Sequence, residues 1–419
     1  VSDSKALSAQ ERFDWLRLSR CDNVGPRTFS TLLKRHGSAA KALEALPALA
    51  AKSTGKRVLR LAEVKDVEAE FEAAERCGAR FIGWDEPDYP WLLRQIDSAP
   101  PIIAIRGNLP VFSRATVAII GSRNASAAGL AFTEQLSRGL AEAGFVVVSG
   151  LARGIDARAH RATSETGTVA VLAGGHDKIY PAEHEKLLEQ LLEHGAAVSE
   201  MPFGWTARDR DFPRRNRIVS GLSLGVIVVE AAKNSGSLIT ANFALDQGRE
   251  VFAVPGSPLD PRSQGTNELL RNGVQICTRV EDVVDALARL RNGFRHTDLF
   301  SEAPHENGGP LPFWDELDLD DEENGSSKPK TDMRATWQAV SWQPEVKPPV
   351  EGHVPEATGD LPSGPERVIG FLGPSPVSID ELVRATEMSA REIRAVLLEL
   401  ELAGRLERHG ANLVSLLSA

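Results

Sequence analysis

The feature that most constrains this chain is a repeated pair of elements between residues 115 and 277. A short apolar run rich in β-branched residues is followed each time by a glycine-bearing turn and then an amphipathic stretch. ATVAII (115–120) leads into GSRNAS and a helical pattern over 127–144, and FVVVS (145–149) into GLARG and a helix through His160. TVAVLA (168–173) leads into Gly174-Gly175 and a helix over 182–194. AAVSEM (196–201), GVIVVEA (225–231) with KNSGS and a helix over 238–247, EVFAVP (250–255) and VQIC (274–277) complete the series. Strands that are apolar without alternation are buried on both faces, so the pattern predicts an α/β fold of Rossmann-like type: a doubly wound, mainly parallel sheet covered by helices on each side. In such a sheet the ligand site lies beyond the carboxyl ends of the strands, where the glycine turns collect.

Around this core the chain divides into four parts: a helical module over 1–80, the Rossmann-like domain over 81–292, a linker over 293–363 and a winged helix over 364–419. In NVGPRTFSTLLKRHGSAAKAL, Gly25-Pro26 makes a turn, Phe29, Leu32 and Leu33 form an apolar stripe, and His36-Gly37-Ser38 ends one helix and caps the next. That pattern resembles a helix-hairpin-helix or SAM-like module, whose hairpin amides can touch DNA phosphates; a small helical packing domain would read the same way. Residues 293–363 lack periodicity and are rich in Pro and Gly, as a flexible linker is. Trp314, Trp337 and Trp342 within it are either incidental or docking points. PVSIDELVRAT, SAREIRAVLLELELAG and RLERHGANLVSLL read as two helices, capped by Ser378 and Ser389, and a two-stranded wing with Gly410 at its tip.

The first turn, Gly121-Ser122-Arg123-Asn124, is neither GxGxxG nor GxxxxGK[ST], so dinucleotide or Walker-type nucleotide binding does not follow. It offers a glycine for close backbone approach, a hydroxyl, and an arginine at a helix N-terminus, a combination that favours an anion. Gly150-Leu151-Ala152-Arg153-Gly154 repeats the scheme, and Lys233-Asn234-Ser235-Gly236-Ser237 supplies a third such loop. TARDRDFPRRNRIV adds Arg208, Arg210, Arg214, Arg215, Asn216 and Arg217. A run of this kind is usually a solvated charged face. Here Phe203, Trp205 and Phe212 interleave with the cations, and rings beside cations are what a single strand needs for its bases and phosphates. Trp205 and Phe212 are therefore the base-stacking candidates.

Asp156 and His160 share a helix face four residues apart. His176, His184 and His194 show no spacing that would complete a metal site, so an internal hydrogen-bonded pair ordering the GLARG loop is expected, with no metal or cofactor. Glu230, at the end of a core strand, is also expected to order loops. No Ser-His-Asp, HExxH or Cys-His pattern stands out.

Charge needs locating before it bears on partners. The net charge is −10, but residues 298–327 alone carry ten acids and no Lys or Arg, while residues 1–60 hold twelve Lys/Arg against five Asp/Glu. The acidic total hides a basic N-terminal part. Cys21, Cys77 and Cys277 are odd in number and far apart, as reduced cytosolic thiols are. No secretion-signal pattern opens the sequence, and no stretch approaches the roughly 18 apolar residues of a membrane span. A cytoplasmic location is expected.

The blocks GSRNAS, SGLARGIDARAH, FPRRNRIVSGLS, VVEAAKNSGSLITANFALDQGREVFAVPG and GTNELLRNG, preceded by YPWLLRQIDSAPPIIAIRG (89–107), resemble in order and spacing the signatures of the DNA-processing protein A (DprA/Smf) family. The resemblance implies a homodimer that binds single-stranded DNA, protects incoming strands and loads the RecA recombinase during natural transformation, without catalysis. It implies DNA contacts at Ser122 and Arg123, Gly150 and Arg153, Arg215, Asn216 and Arg217, and Lys233 to Ser235; Gly121, Gly154, Arg214 and Gly236 adjoin them. Many members read GCGLD where this chain has Gly174-Gly175-His176-Asp177. The winged helix counts eight acids and six bases, a poor face for DNA and a better one for protein. The central domain also resembles nucleotide phosphoribohydrolases with a PGGxGTxEE loop. Ile239 and Thr240 fall where the catalytic acids would be, which argues against hydrolysis.

Overall fold

The computed structural model describes residues 6–52, 60–294, 364–374, 376–409 and 412–416, with the backbone alone at 50–52, 292–294 and 364. The expected linker beyond Phe294, its three tryptophans, and Gly410 at the wing tip lie outside these residues. Four helices open the chain: α1 (Ala9–Ser19), α2 (Pro26–His36), α3 (Ala39–Lys52) and α4 (Val64–Cys77). Ser8 and Glu11 form a capping box on α1, and Pro26 occupies the first turn of α2, where its missing N–H is no loss. The sheet begins with β1 (Ala79–Gly83), α5 (Trp91–Arg94) and β2 (Ile102–Gly107). It continues with β3 (Thr116–Ile120), α6 (Ala127–Glu142), β4 (Val146–Ser149), α7 (Ile155–Thr163), β5 (Thr168–Val171), α8 (Glu185–Leu192) and β6 (Ala196–Ser199). Then come α9 (Asp211–Gly221), β7 (Gly225–Val228), α10 (Gly236–Asp246), β8 (Glu250–Ala253), α11 (Gln264–Arg271), β9 (Gln275–Ile276) and α12 (Val280–Phe294).

The strands run in the order β1-β2-β6-β5-β4-β3-β7-β8-β9. From β6 to β9 every pairing is parallel, and β1 and β2 add an antiparallel edge. The doubly wound, mainly parallel fold read from the sequence is therefore the observed one. The antiparallel edge was not anticipated, and because β1 starts at Ala79 an 80/81 domain boundary cuts a strand. Strand direction of connection reverses between β3 and β7, so the switch-point crevice opens at residues 121–126 and 229–237.

Every residue of β3, β4, β5, β6 and β7 is buried, which is why these strands read as continuous apolar runs. One core lies between the sheet and α9 and α10, another between the sheet and α6, α7 and α12. A further core joins α1 to α4 onto β1 and β2: Trp15, Phe29 and Trp84 meet edge-on with centroids 5.2, 5.7 and 5.4 Å apart. Arg12 pairs with Glu86, and Arg20 binds Glu70 through both carboxylate oxygens, at 2.7 and 3.0 Å.

The C-terminal unit comprises α13 (Gly364–Phe371), β10 (Val377–Ser378), α14 (Ile379–Thr386), α15 (Ala390–Leu402), β11 (Leu406–Arg408) and β12 (Leu413–Leu416), a winged helix. Ser378 and Ser389 each form a capping box, with Glu381 and Glu392. Arg262, held by Asp260, donates to the carbonyls of Gly370 and Leu372 at 3.3 and 2.9 Å and ties α13 to the sheet domain. No described helix is long and apolar enough to cross a membrane.

Because the N-terminal helices and β1–β2 share one core, truncating its centre should unfold both together. Phe29→Ala is expected to cost about 3–5 kcal/mol. Chemical denaturation followed by tryptophan fluorescence and by far-UV dichroism should show one coincident, shifted early transition; a shift in only one probe would separate the helices from the strands.

Candidate nucleic-acid interface

The loops that follow β3, β4 and β7 meet at the carboxyl edge of the sheet. Ser237 Oγ, at the start of α10, donates to the carbonyl of Gly121 at 2.9 Å, joining the first loop to the last. Ser126 caps α6, its Oγ accepting from Gly129 N, and both its own N–H and its hydroxyl are held by Glu230. Burial pushes the Glu230 carboxyl above its ordinary pKa, and the Ser126 hydrogen bonds oppose that rise. Glu230 thus fastens the loop after β3 to the one after β7.

The glycines differ from expectation. The sequence reads them as openings for a ligand against the backbone, yet at Gly121, Gly150 and Gly154 protein fills the space where a side chain would stand, while Gly236 faces open space. A Cβ at Gly121 would lie 2.6 Å from Ile155, one at Gly154 2.2 Å from the Ser122 carbonyl, and one at Gly150 2.1 Å from the Arg215 guanidinium. Gly154 also has φ of 72°, a backbone region costly for other residues. These glycines let the loops nest in each other.

Arg215 and Arg217, expected at the surface, turn inward. Arg215 Nη1 donates to the Gly150 carbonyl and, at 2.9 Å, to that of Val171, lacing the ends of β4 and β5 together. Burial lowers its pKa to about 10 while the nearby Asp156 carboxylate opposes the fall. Asp156 Oδ2 accepts from the amides of Gly150 and Ala152 at 3.1 and 3.3 Å. Arg217 pairs with Glu200 and donates to the Ser98 carbonyl. Arg215 lies on the face of α9 that also carries Asp211 and Ile218 into the interior, whereas Arg217 is buried on another side of the helix.

Asp156 and His160 do not pair as anticipated; each finds its own partner. His160 Nδ1 lies 2.8 Å from Thr168 Oγ1, on β5, and burial drives the imidazole pKa down to about 3. In the loop after β5, His176 Nε2 meets the Ala104 carbonyl at 3.0 Å, which stitches that loop to β2. Among the described residues no group of three or more His, Cys, Asp and Glu could hold a metal.

What stays outside is Arg123, Asn124, Arg153, Lys233, Asn234 and Gly236, all exposed, with Ser122, Arg214, Asn216 and Ser235 half-buried. Asn216 Nδ2 donates to the Gly236 carbonyl at 3.3 Å, beside the loop after β7. Arg153 is engaged by Glu183 through two hydrogen bonds of 2.8 and 2.9 Å. The aromatic candidates have different partners. Trp205 donates to Asp211 at 2.8 Å and is covered by Arg208, 4.5 Å from its centroid. Phe212 carries Arg123 at 5.0 Å and meets Tyr180 at 5.4 Å. Sequence reasoning missed Tyr180 and Glu183. The signal available was their position in the turn after β5, at the same sheet edge as the other loops.

The pKa of His160 has a consequence for stability. Folded, the imidazole refuses a proton that the unfolded chain takes up near pH 6.5, so its contribution is complete above that pH and is lost as pH falls toward 3. The loss should reach about 3 kcal/mol near pH 4. Urea denaturation across this range should give a shallower pH slope for His160→Gln than for the parent; equal slopes would refute the assignment.

Residues 80–288 match the family model for DNA recombination-mediator protein A, 9–73 that for a DprA-like N-terminal HHH domain, and 354–412 that for a DprA winged helix domain. Protein Smf from Synechocystis sp. is 30% identical over 410 residues, 95% of this chain and 97% of that protein. DNA processing protein DprA from Bacillus subtilis is 40% identical over 213 residues, 50% of this chain and 72% of that protein. The X-ray structure of DNA processing protein A from Streptococcus pneumoniae matches with a TM-score of 0.55 at 29% identity, covering 67% of this chain and 98% of that one. With all three family models in register on its three folded parts, and a relative matched over nearly its whole length, the chain belongs to the DprA/Smf family of DNA recombination mediators.

Proposed function

We propose that this chain is a non-catalytic DNA-binding protein that holds single-stranded DNA by its phosphates, protects incoming strands in natural transformation and loads the RecA recombinase. The observation that carries the DNA part is the arrangement of Arg123, Arg153 and Lys233, exposed on three different loops at one edge of one sheet. Ser122, Asn234 and Ser235 supply hydroxyl and amide groups beside them, and Arg214 and Asn216 border the same edge. Three separated, solvated cations suit a chain of phosphates, each contributing modestly and releasing a counterion. The recombinase, the homodimer and a cytoplasmic location are carried over from the family. Residues 81–292 form the DNA-holding unit in this reading, flanked by the helical module and, beyond the linker, the winged helix.

Arg215 and Arg217 serve in this reading as the frame under the loops. The winged helix serves as a protein-contact unit, since α15 exposes Leu398 and Leu402 beside Glu399 and Glu401. Nucleotide hydrolysis would need a carboxylate free to stabilise a ribosyl cation. Asp156 is engaged by loop amides and Glu230 by Ser126, which speaks against that reading; release of free base or ribose phosphate from AMP by the purified protein would revive it.

Binding to a labelled single-stranded oligomer should exceed binding to the matching duplex and weaken steeply with salt. Arg123→Ala is expected to cost about 0.5–1 kcal/mol, the worth of one exposed ion pair, and to flatten the log–log salt slope by about 0.7. Unchanged affinity and slope would remove Arg123 from the site. Glu183→Gln, which frees the Arg153 guanidinium from an exposed ion pair, should raise affinity by up to about fivefold; a loss would show that Glu183 positions Arg153 for DNA instead of competing with it.

A further inference from the structure

One exposed ring at the cationic edge has no structural duty that its surroundings explain. Tyr180, in the turn between β5 and α8, is 51% exposed, whereas its neighbours Ile179 and Pro181 are turned into the protein. Its ring meets Phe212 edge-on, at 5.4 Å and 63° between planes. Phe212 in turn has the Arg123 guanidinium 5.0 Å from its centroid. Glu183, three residues on in the same turn, holds the Arg153 guanidinium at 2.8 Å. Two rings in contact and the cations Arg123 and Arg153 thus gather at this part of the edge. An isolated exposed aromatic side chain would need no explanation. A half-exposed ring fixed against a second ring, with cations at the same edge, offers an apolar surface where a strand held by those cations would carry a base.

We propose that Tyr180 is a base-stacking residue of the single-strand site, receiving one unpaired base on its open face, while Phe212 braces it and seats Arg123. This rests on the reading of the edge as a DNA site and assigns the base contact within it. Two consequences follow from the chemistry. Stacking needs only a π-face, so it is tolerant of sequence. A duplex keeps its bases stacked inside, so Tyr180 helps single strands and leaves duplex binding unaffected.

The test uses the full chain with Tyr180→Ala and Tyr180→Phe, and fluorescence anisotropy on three probes: a thymidine oligomer, an abasic oligomer of the same length, and a duplex. Tyr180→Ala should weaken binding to the thymidine oligomer by roughly tenfold, and Tyr180→Phe should retain parental affinity. On the abasic oligomer, which has phosphates but no bases, parent and Tyr180→Ala should bind alike, and duplex affinity should be unchanged. Equal loss on the thymidine and abasic oligomers would overturn the proposal, because the ring would then act by shaping the cationic loops. So would unaltered binding of Tyr180→Ala to the thymidine oligomer. A parent protein that binds none of the single-stranded probes would overturn the DNA site itself, and Tyr180's part with it.

Discussion

The buried guanidinium of Arg215 organises the edge of the sheet. It sits where Gly150 has no side chain, bonded to the carbonyls that end β4 and β5, with the Asp156 carboxylate close by. Asp156 in turn binds the amides that begin the following loop. Carbonyls left over where two parallel strands stop are thereby satisfied by a cation, and amides left over where the loop turns are satisfied by an anion. Two opposite charges taken out of water together are tolerable only with such a full set of hydrogen bonds. Removing either one would strand the other, so the loop carrying Arg153 has its shape fixed from below.

The same principle extends along the crevice. Glu230 grips Ser126 at the start of α6, and Ser237 at the start of α10 reaches the Gly121 carbonyl. Each loop is held by a polar contact to a neighbour, and Gly121, Gly150 and Gly154 each admit a neighbouring atom closely. The backbone amides of these loops are consequently less open to a ligand than a bare glycine count suggests. The exposed side chains Arg123, Arg153 and Lys233 are what the rigid base presents to solvent.

Much of this was legible. Strands from Thr116 to Ala253 announce themselves because apolar residues run through them without alternation, and their turns because glycine and serine interrupt them. The antiparallel edge was harder: β1 is five residues with exposed Arg80 inside it, and β2 was absorbed into a family segment, so neither showed the repeated strand–turn–helix grammar. The arginine-rich block shows why charge alone misleads. Arg215 lies four residues after Asp211 and three before Ile218, a helical spacing that places all three on one face. That face is buried. A wheel drawn through 211, 215, 218 and 222 would have sent Arg215 inward, whereas counting cations sent it outward. Tyr180 was hidden by a different cause, since a lone aromatic residue in a turn carries no periodic signal and gains meaning only from neighbours far off in sequence.

The division between inward and outward arginines also bears on what kind of ligand the edge suits. A single small anion is best held by convergent, desolvated donors, and the desolvated arginines here converge on protein carbonyls and on Glu200. The exposed cations come from three loops and remain hydrated, so each is worth little in isolation. Affinity from such groups accumulates only when one ligand spans several of them and carries a charge for each. A polyanion of repeating phosphates meets that requirement, and its unpaired bases add what hydrated cations cannot supply: apolar faces for the exposed ring at the same edge.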